Sequence, residues 1–163
     1  RYRITGEVRM TGLIPIPEQS KEQFLRGRVT FVAGTTGAVA QHTVFTITGM
    51  VKFGFGAMIV TDLTSGGAAT ISHGNAGSVA ALGAAPLATT LDAGDWLDPG
   101  STTWREAATF GGNLTTSATS SGTDITADVL VTTITGGVVE YYIYWIPLSA
   151  GATVTLGSEL VAS

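Results

Sequence analysis

Apolar residues recur along this chain mostly at every second position, the period of a strand with one face turned to a core. Residues 50–63 show it best. Val51, Phe53, Phe55, Ala57 and Ile59 fall on one face, and Lys52, Gly54, Gly56 and Met58 on the other. Residues 39–48 precede them, with Gly49 as a turn or bulge, so two long strands are predicted here. Residues 124–135 and 138–147 repeat the pattern. Ile125, Ala127, Val129 and Val131 share a face in the first run; Val139, Tyr141, Ile143 and Trp145 share one in the second. Gly136-Gly137 between them suits a two-residue hairpin with positive φ. The second run is apolar on its other face too, at Val138, Tyr142, Tyr144 and Ile146. Such a strand is buried on both sides or presents one side to a partner.

The remaining segments are shorter. Residues 1–10 alternate Tyr2, Ile4 and Val8 with charged neighbours, as an edge or arm strand would. Leu13-Ile14-Pro15-Ile16-Pro17 reads as an extended linker, because proline donates no ladder hydrogen bond. Ser20 with Gln23 has capping-box spacing and predicts a helix of about one or two turns that stops by Gly27. Residues 28–33 follow as a strand, then the turn Gly34-Thr35-Thr36-Gly37. Thr64-Ser65-Gly66-Gly67 reads as a hairpin loop into residues 68–73. Short strands and long loops are expected over 74–121. The whole predicts one all-β domain, an antiparallel β-sandwich of jelly-roll-like or Greek-key type over residues 28–163. An extended N-terminal arm and linker occupy residues 1–27.

Composition narrows the class. Of 163 residues, 44% are hydrophobic and only 12% charged, which excludes a disordered chain and disfavours a helical bundle. Cysteine is absent, excluding disulfides, a thiol nucleophile and thiolate metal sites. Charge is unevenly placed: six cations against three acids in residues 1–30, a net +3, and two against nine in the rest, a net −7. A basic arm on an acidic body favours contacts between copies. The body has too few cations for a phosphate track, so no nucleic-acid partner is expected. The uncharged stretches 29–51 and 63–91 are broken by Gly, Thr, Gln, Asn and His. Residues 1–9 lack the apolar core of a secretory signal. The strands of suitable length are fewer than the roughly eight of a small outer-membrane barrel. No membrane association is expected.

Reactive constellations are sparse. His42 and His73 could converge on a metal, but no third ligand follows from sequence. Asp92, Asp95 and Asp98 could present oxygens to calcium, although their spacing suits turns and caps better. No Gly-x-Ser-x-Gly elbow occurs, and Gly54-Phe55-Gly56 lacks the third glycine of a phosphate cradle. No enzyme activity, cofactor or metal is expected.

Several pieces together resemble a small β-sandwich virion protein of tailed bacteriophages. They are Phe45-Thr46-Ile47-Thr48-Gly49, the run from Thr61-Asp62-Leu63 to Thr70-Ile71, Gly74-Asn75-Ala76 and Ala80-Ala81-Leu82. Leu91-Asp92-Ala93-Gly94-Asp95-Trp96-Leu97-Asp98 and the final Glu140-Tyr141-Tyr142-Ile143-Tyr144-Trp145-Ile146-Pro147 complete the set. The resemblance covers about two-thirds of the chain and implies a non-enzymatic capsid decoration (cement) protein or another virion component. The expectation is a symmetric homo-oligomer, a trimer, made in the host cytoplasm and fastened to the major capsid protein on the capsid exterior. The basic arm lies outside the resembling region. Its Arg1, Arg3, Arg9, Arg26 and Arg28, with Tyr142, Tyr144 and Trp145, are the interface candidates read from the residues themselves. The alternative is a receptor- or glycan-binding fibre domain, with Trp96, Trp104 and Tyr141 lining an exposed groove.

Overall fold

Apolar alternation builds two antiparallel sheets, seen in a computed structural model that describes residues 22–83, 85–97, 104–105 and 118–163. The elements in chain order are β1 (Gln23–Thr30), β2 (Ala40–Thr48), β3 (Met50–Ser65), β4 (Thr70–Asn75) and β5 (Ser78–Gly83). A single 3-10 turn at Ala88–Thr90 follows. Then come β6 (Trp96–Leu97), β7 (Trp104–Arg105), β8 (Ala118–Ser121), β9 (Ile125–Leu130), β10 (Ile134–Pro147), β11 (Thr153–Leu156) and β12 (Val161–Ala162). One sheet has seven strands in the order β12-β1-β10-β3-β6-β7, with β8 also on β3. The other has five, in the order β11-β2-β9-β4-β5.

Successive described strands lie in different sheets at eight of eleven steps, so β1 pairs with β10 in one sheet and β2 with β9 in the other. This is the two-sheet antiparallel β-sandwich that the patterning predicted. Two expected hairpins are corrected by it. β3 and β4 lie in different sheets, so Ser65-Gly66-Gly67 spans the sandwich. β9 and β10 are also in different sheets, and the crossing is made at Val131-Thr132-Thr133. There Val131 takes a positive φ of 70° and is 73% exposed, off the core face it was assigned to. Gly136 and Gly137 lie inside β10, where the register with β3 shifts at successive positions. The glycine pair therefore serves a bulge, not a turn. The short helix expected before Gly27 is corrected as well. β1 begins at Gln23, inside the span assigned to the arm and at a position expected to be helical, because Leu25, Gly27 and Val29 turn inward at period two.

The core lies between the sheets. Val51, Phe53, Phe55, Ala57 and Ile59 of β3 and Val139, Tyr141, Ile143 and Trp145 of β10 meet Phe45, Ile47, Ile71, Ile125, Ala127 and Val129 of the opposite sheet. Phe45 packs edge-on against Phe55 at 6.3 Å between ring centres, and Phe55 stacks on Tyr141 at 6.1 Å. Burial of this size is the dominant favourable term in folding.

Candidate interaction surface

The outward face of the seven-stranded sheet collects the candidate residues. In the β1–β10 ladder Phe24 stands opposite Tyr144, Arg26 opposite Tyr142 and Arg28 opposite Glu140. In the β10–β3 ladder Tyr144 is opposite Gly54, Tyr142 opposite Gly56, Glu140 opposite Met58 and Ile146 opposite Lys52. Directly opposed residues share a face, so all of these project from the outer side of the sandwich. Phe24 is 51% exposed and Tyr144 37%, and their rings are 4.8 Å apart. Tyr142 meets Tyr144 edge-on at 6.4 Å. The Tyr142 ring lies flat over Gly56, in space that a Cβ there would fill. Gly56 on β3 thus leaves space into which the Tyr142 ring settles.

Cations rim this strip. Arg28 Nε is 2.6 Å from Glu140 Oε2, a pair half open to solvent on the arginine side. Arg26 Nε donates to the Ser163 carbonyl at 2.7 Å and ties the C-terminus to β1. Lys52 is exposed beside Ile146. The surface is apolar and aromatic at its centre and positively charged at its edge, the composition of a protein-binding patch.

The structure brings together Arg26, Arg28, Tyr142 and Tyr144. Arg1, Arg3 and Arg9 lie outside the described residues. Trp145 is corrected: alternation along β10 turns its indole inward, and at 6% exposure it packs in the core. Phe24 and Met58 were missed. Phe24 fell in the predicted helix, and the alternation Leu25-Arg26-Gly27-Arg28-Val29 was the signal that a strand had begun.

Other candidates resolve into structural roles. His42 and His73 both pair with Ala127, from opposite sides of β9. β9 runs between them, and their side chains have different partners. His42 Nδ1 is 2.6 Å from Glu159 Oε2, and its Nε2 is 3.0 Å from the Ala38 carbonyl oxygen. His73 is fully buried, with Nε2 3.3 Å from the Tyr141 hydroxyl, and burial holds its pKa down at about 3. Burial likewise raises Tyr141. Asp95 Oδ2 accepts the Asp92 N–H at 2.9 Å, closing a local turn; Asp98 lies outside the described residues. Asp128 is buried on the outer face of the five-stranded sheet, opposite Ser72. Its pKa is raised by desolvation, against hydrogen bonds from Gln41 and Thr126 and the attraction of His42. Among the described residues no three His, Asp or Glu side chains gather as a metal site. Of the three rings of the glycan-groove alternative, Trp96 and Tyr141 are buried, and the Trp104 side chain lies outside the described structure. No family model, curated protein or solved structure matches the chain.

Proposed function

We propose that this chain is a non-catalytic assembly protein of the virion class that its sequence resembles: a capsid decoration protein that bridges capsomers by docking the outer face of its larger sheet. One observation carries the reading. A strand that could have turned polar residues to solvent instead sets Tyr142 and Tyr144 there, with Phe24 across the ladder and Arg26 and Arg28 beside them. Tyrosine, arginine and other large anchors of this kind supply most of the energy of protein interfaces. The complementary surface on the major capsid protein is apolar with an acidic rim. A glycan-binding fibre domain is the weaker reading, since two of the three rings it needs, Trp96 and Tyr141, are buried.

The test is co-sedimentation of the full chain with expanded tailed-phage capsids that lack their decoration protein. Phe24→Ser combined with Tyr144→Ser removes exposed groups only, so thermal stability stays close to that of the parent. Capsid affinity falls about tenfold or more. Undiminished binding by the double variant would remove this face from the mechanism.

A further inference from the structure

Exposed valines cluster at one end of the sandwich. Val32, Val39 and Val131 are between 51% and 73% exposed. Grouped apolar exposure, unlike scattered single residues, marks a contact surface. Val32 lies in the loop from β1 to β2, and Val131 in the crossing from β9 to β10. Val39 immediately precedes β2 and sits beside that crossing, because Ala40 pairs with Val129. The loops are fastened to one another. The Ile134 N–H donates to the Gly37 carbonyl at 2.9 Å, and a Cβ on Gly67, in the loop from β3 to β4, would stand 3.3 Å from Thr132 Cγ2.

Two further features set this end apart from a solvated loop tip. Val131 holds φ at 70°, a region that glycine and asparagine enter readily and a β-branched residue does not. Its side chain faces solvent, so the strain is offset by no packing within the fold, and strain of this kind is found where a surface engages a ligand. The polar atoms of the loops are also satisfied internally. Thr36 Oγ1 donates to the Thr30 carbonyl at 2.7 Å and accepts the Val32 N–H at 2.9 Å. Thr35 Oγ1 donates to the Val32 carbonyl, and Ser65 Oγ to the Gly67 carbonyl. Covering such a surface strips few hydrogen bonds from water.

Charge points to the occupant. Residues 29–51, 63–91 and 129–139 contain all three loops and hold no Asp, Glu, Lys or Arg, in a chain of net charge −4. Copies of like net charge repel each other, and they meet with least repulsion at the end that carries no charge. A lipid surface suits these loops less well, since they offer no Lys or Arg to anionic headgroups and no Trp or Tyr to the interfacial belt. Five strands across and two sheets deep, the end measures on the order of 500 Å². A pair therefore buries about 1,000 Å², the lower bound of a specific interface.

We infer that two copies of this chain associate end to end through the Val32, Val39 and Val131 loops, about a two-fold axis. The pair carries two outer sheet faces, and bridging two capsomers takes two docking faces on one particle. The inference extends the proposed function in that respect but rests on the loops alone.

Sedimentation velocity of the full chain, from about 1 to 100 μM, is expected to show a monomer–dimer equilibrium of roughly micromolar strength. Val131→Asn suits the left-handed backbone, so its melting temperature equals or exceeds the parent's. Adding Val39→Asp sets like charges against each other across the axis, and the double variant associates about tenfold or more weakly. A parent that stays monomeric at about 100 μM, or a dimer that survives the double variant, would overturn the inference. A monomeric parent that floats with phosphatidylcholine vesicles would also overturn it and assign the end to lipid. Dimers that fail to bind capsids would sink the capsid reading and leave this one standing; monomers that bind them would do the reverse.

Discussion

His73 shows how much one buried side chain contributes to the behaviour of this sandwich. Its imidazole sits between the sheets, beside Phe55 at 5.7 Å and within hydrogen-bond reach of the Tyr141 hydroxyl. Burial disfavours the charged form and holds the folded pKa at about 3, against an ordinary 6.5. Below pH 6.5 the unfolded chain takes a proton that the folded chain refuses, so protonation favours unfolding. The stability held by neutral His73 is therefore complete above pH 6.5 and is lost as pH falls toward 3. The slope approaches about 1.4 kcal/mol per pH unit. His73→Gln keeps a polar group near Tyr141 without titrating. It is expected to flatten the fall in denaturant-measured stability between pH 6.5 and 4; parallel curves for parent and variant would refute this assignment. The sequence left His73 as either a metal ligand or an ordinary polar or partly buried residue. Its strand's place between β9 and β5 decided that it would be interior.

At the scale of elements, the alternating runs revealed β2 and β3 almost to their ends, and β10 from Val138 onward. Strand length and facing depend on a local period that the residues carry themselves. Sheet membership was not legible. Gly66-Gly67 and Gly136-Gly137 both signal unusual backbone, but a glycine pair does not say whether the next strand pairs back or crosses to the other layer. The candidate surface was half legible for the same reason. Tyrosine and arginine were visible as residue types, whereas the register that sets Arg26 against Tyr142 joins positions more than a hundred residues apart. The two glycine sites can be separated by experiment. At Gly137 φ is 109°, and a Cβ would stand 2.6 Å from both the Asp62 carbonyl oxygen and Leu63 Cδ2. Gly137→Ala is expected to cost about 2–4 kcal/mol in equilibrium unfolding. At Gly66 a Cβ meets nothing within 4 Å. Gly66→Ala is expected to stay within about 0.5 kcal/mol of the parent. Equal effects would mean that the bulge in β10 has been misread.

In the molecule as a whole, the chain's first described strand is closed by its last. β12 covers the outer edge of β1 at Gly27 and Arg28, and Ser163 receives the Arg26 guanidinium. β11 closes β2 in the other sheet with four regular pairs, and buries Val154 in the core. Both edges at this side of the sandwich thus depend on the final eleven residues, and edges left open invite pairing with other chains. Two truncations should behave differently. Removing residues 161–163 deletes a two-residue strand and one charge-assisted bond, and is expected to cost roughly 1–2 kcal/mol with cooperative unfolding retained. Removing residues 153–163 uncovers both edges and withdraws Val154, Leu156 and Leu160 from the core. A fully buried apolar side chain contributes about 1.5–3 kcal/mol; Val154 is buried and Leu156 and Leu160 partly so, and their loss together with the β11 ladder is a large fraction of the stability of a domain this size. The longer truncation should therefore yield an aggregating chain without a cooperative thermal transition. A soluble, cooperatively melting product would mean that β1 and β10 hold the sandwich together without the C-terminal strands, and that the outer strip is carried by a smaller folding unit than the whole sandwich.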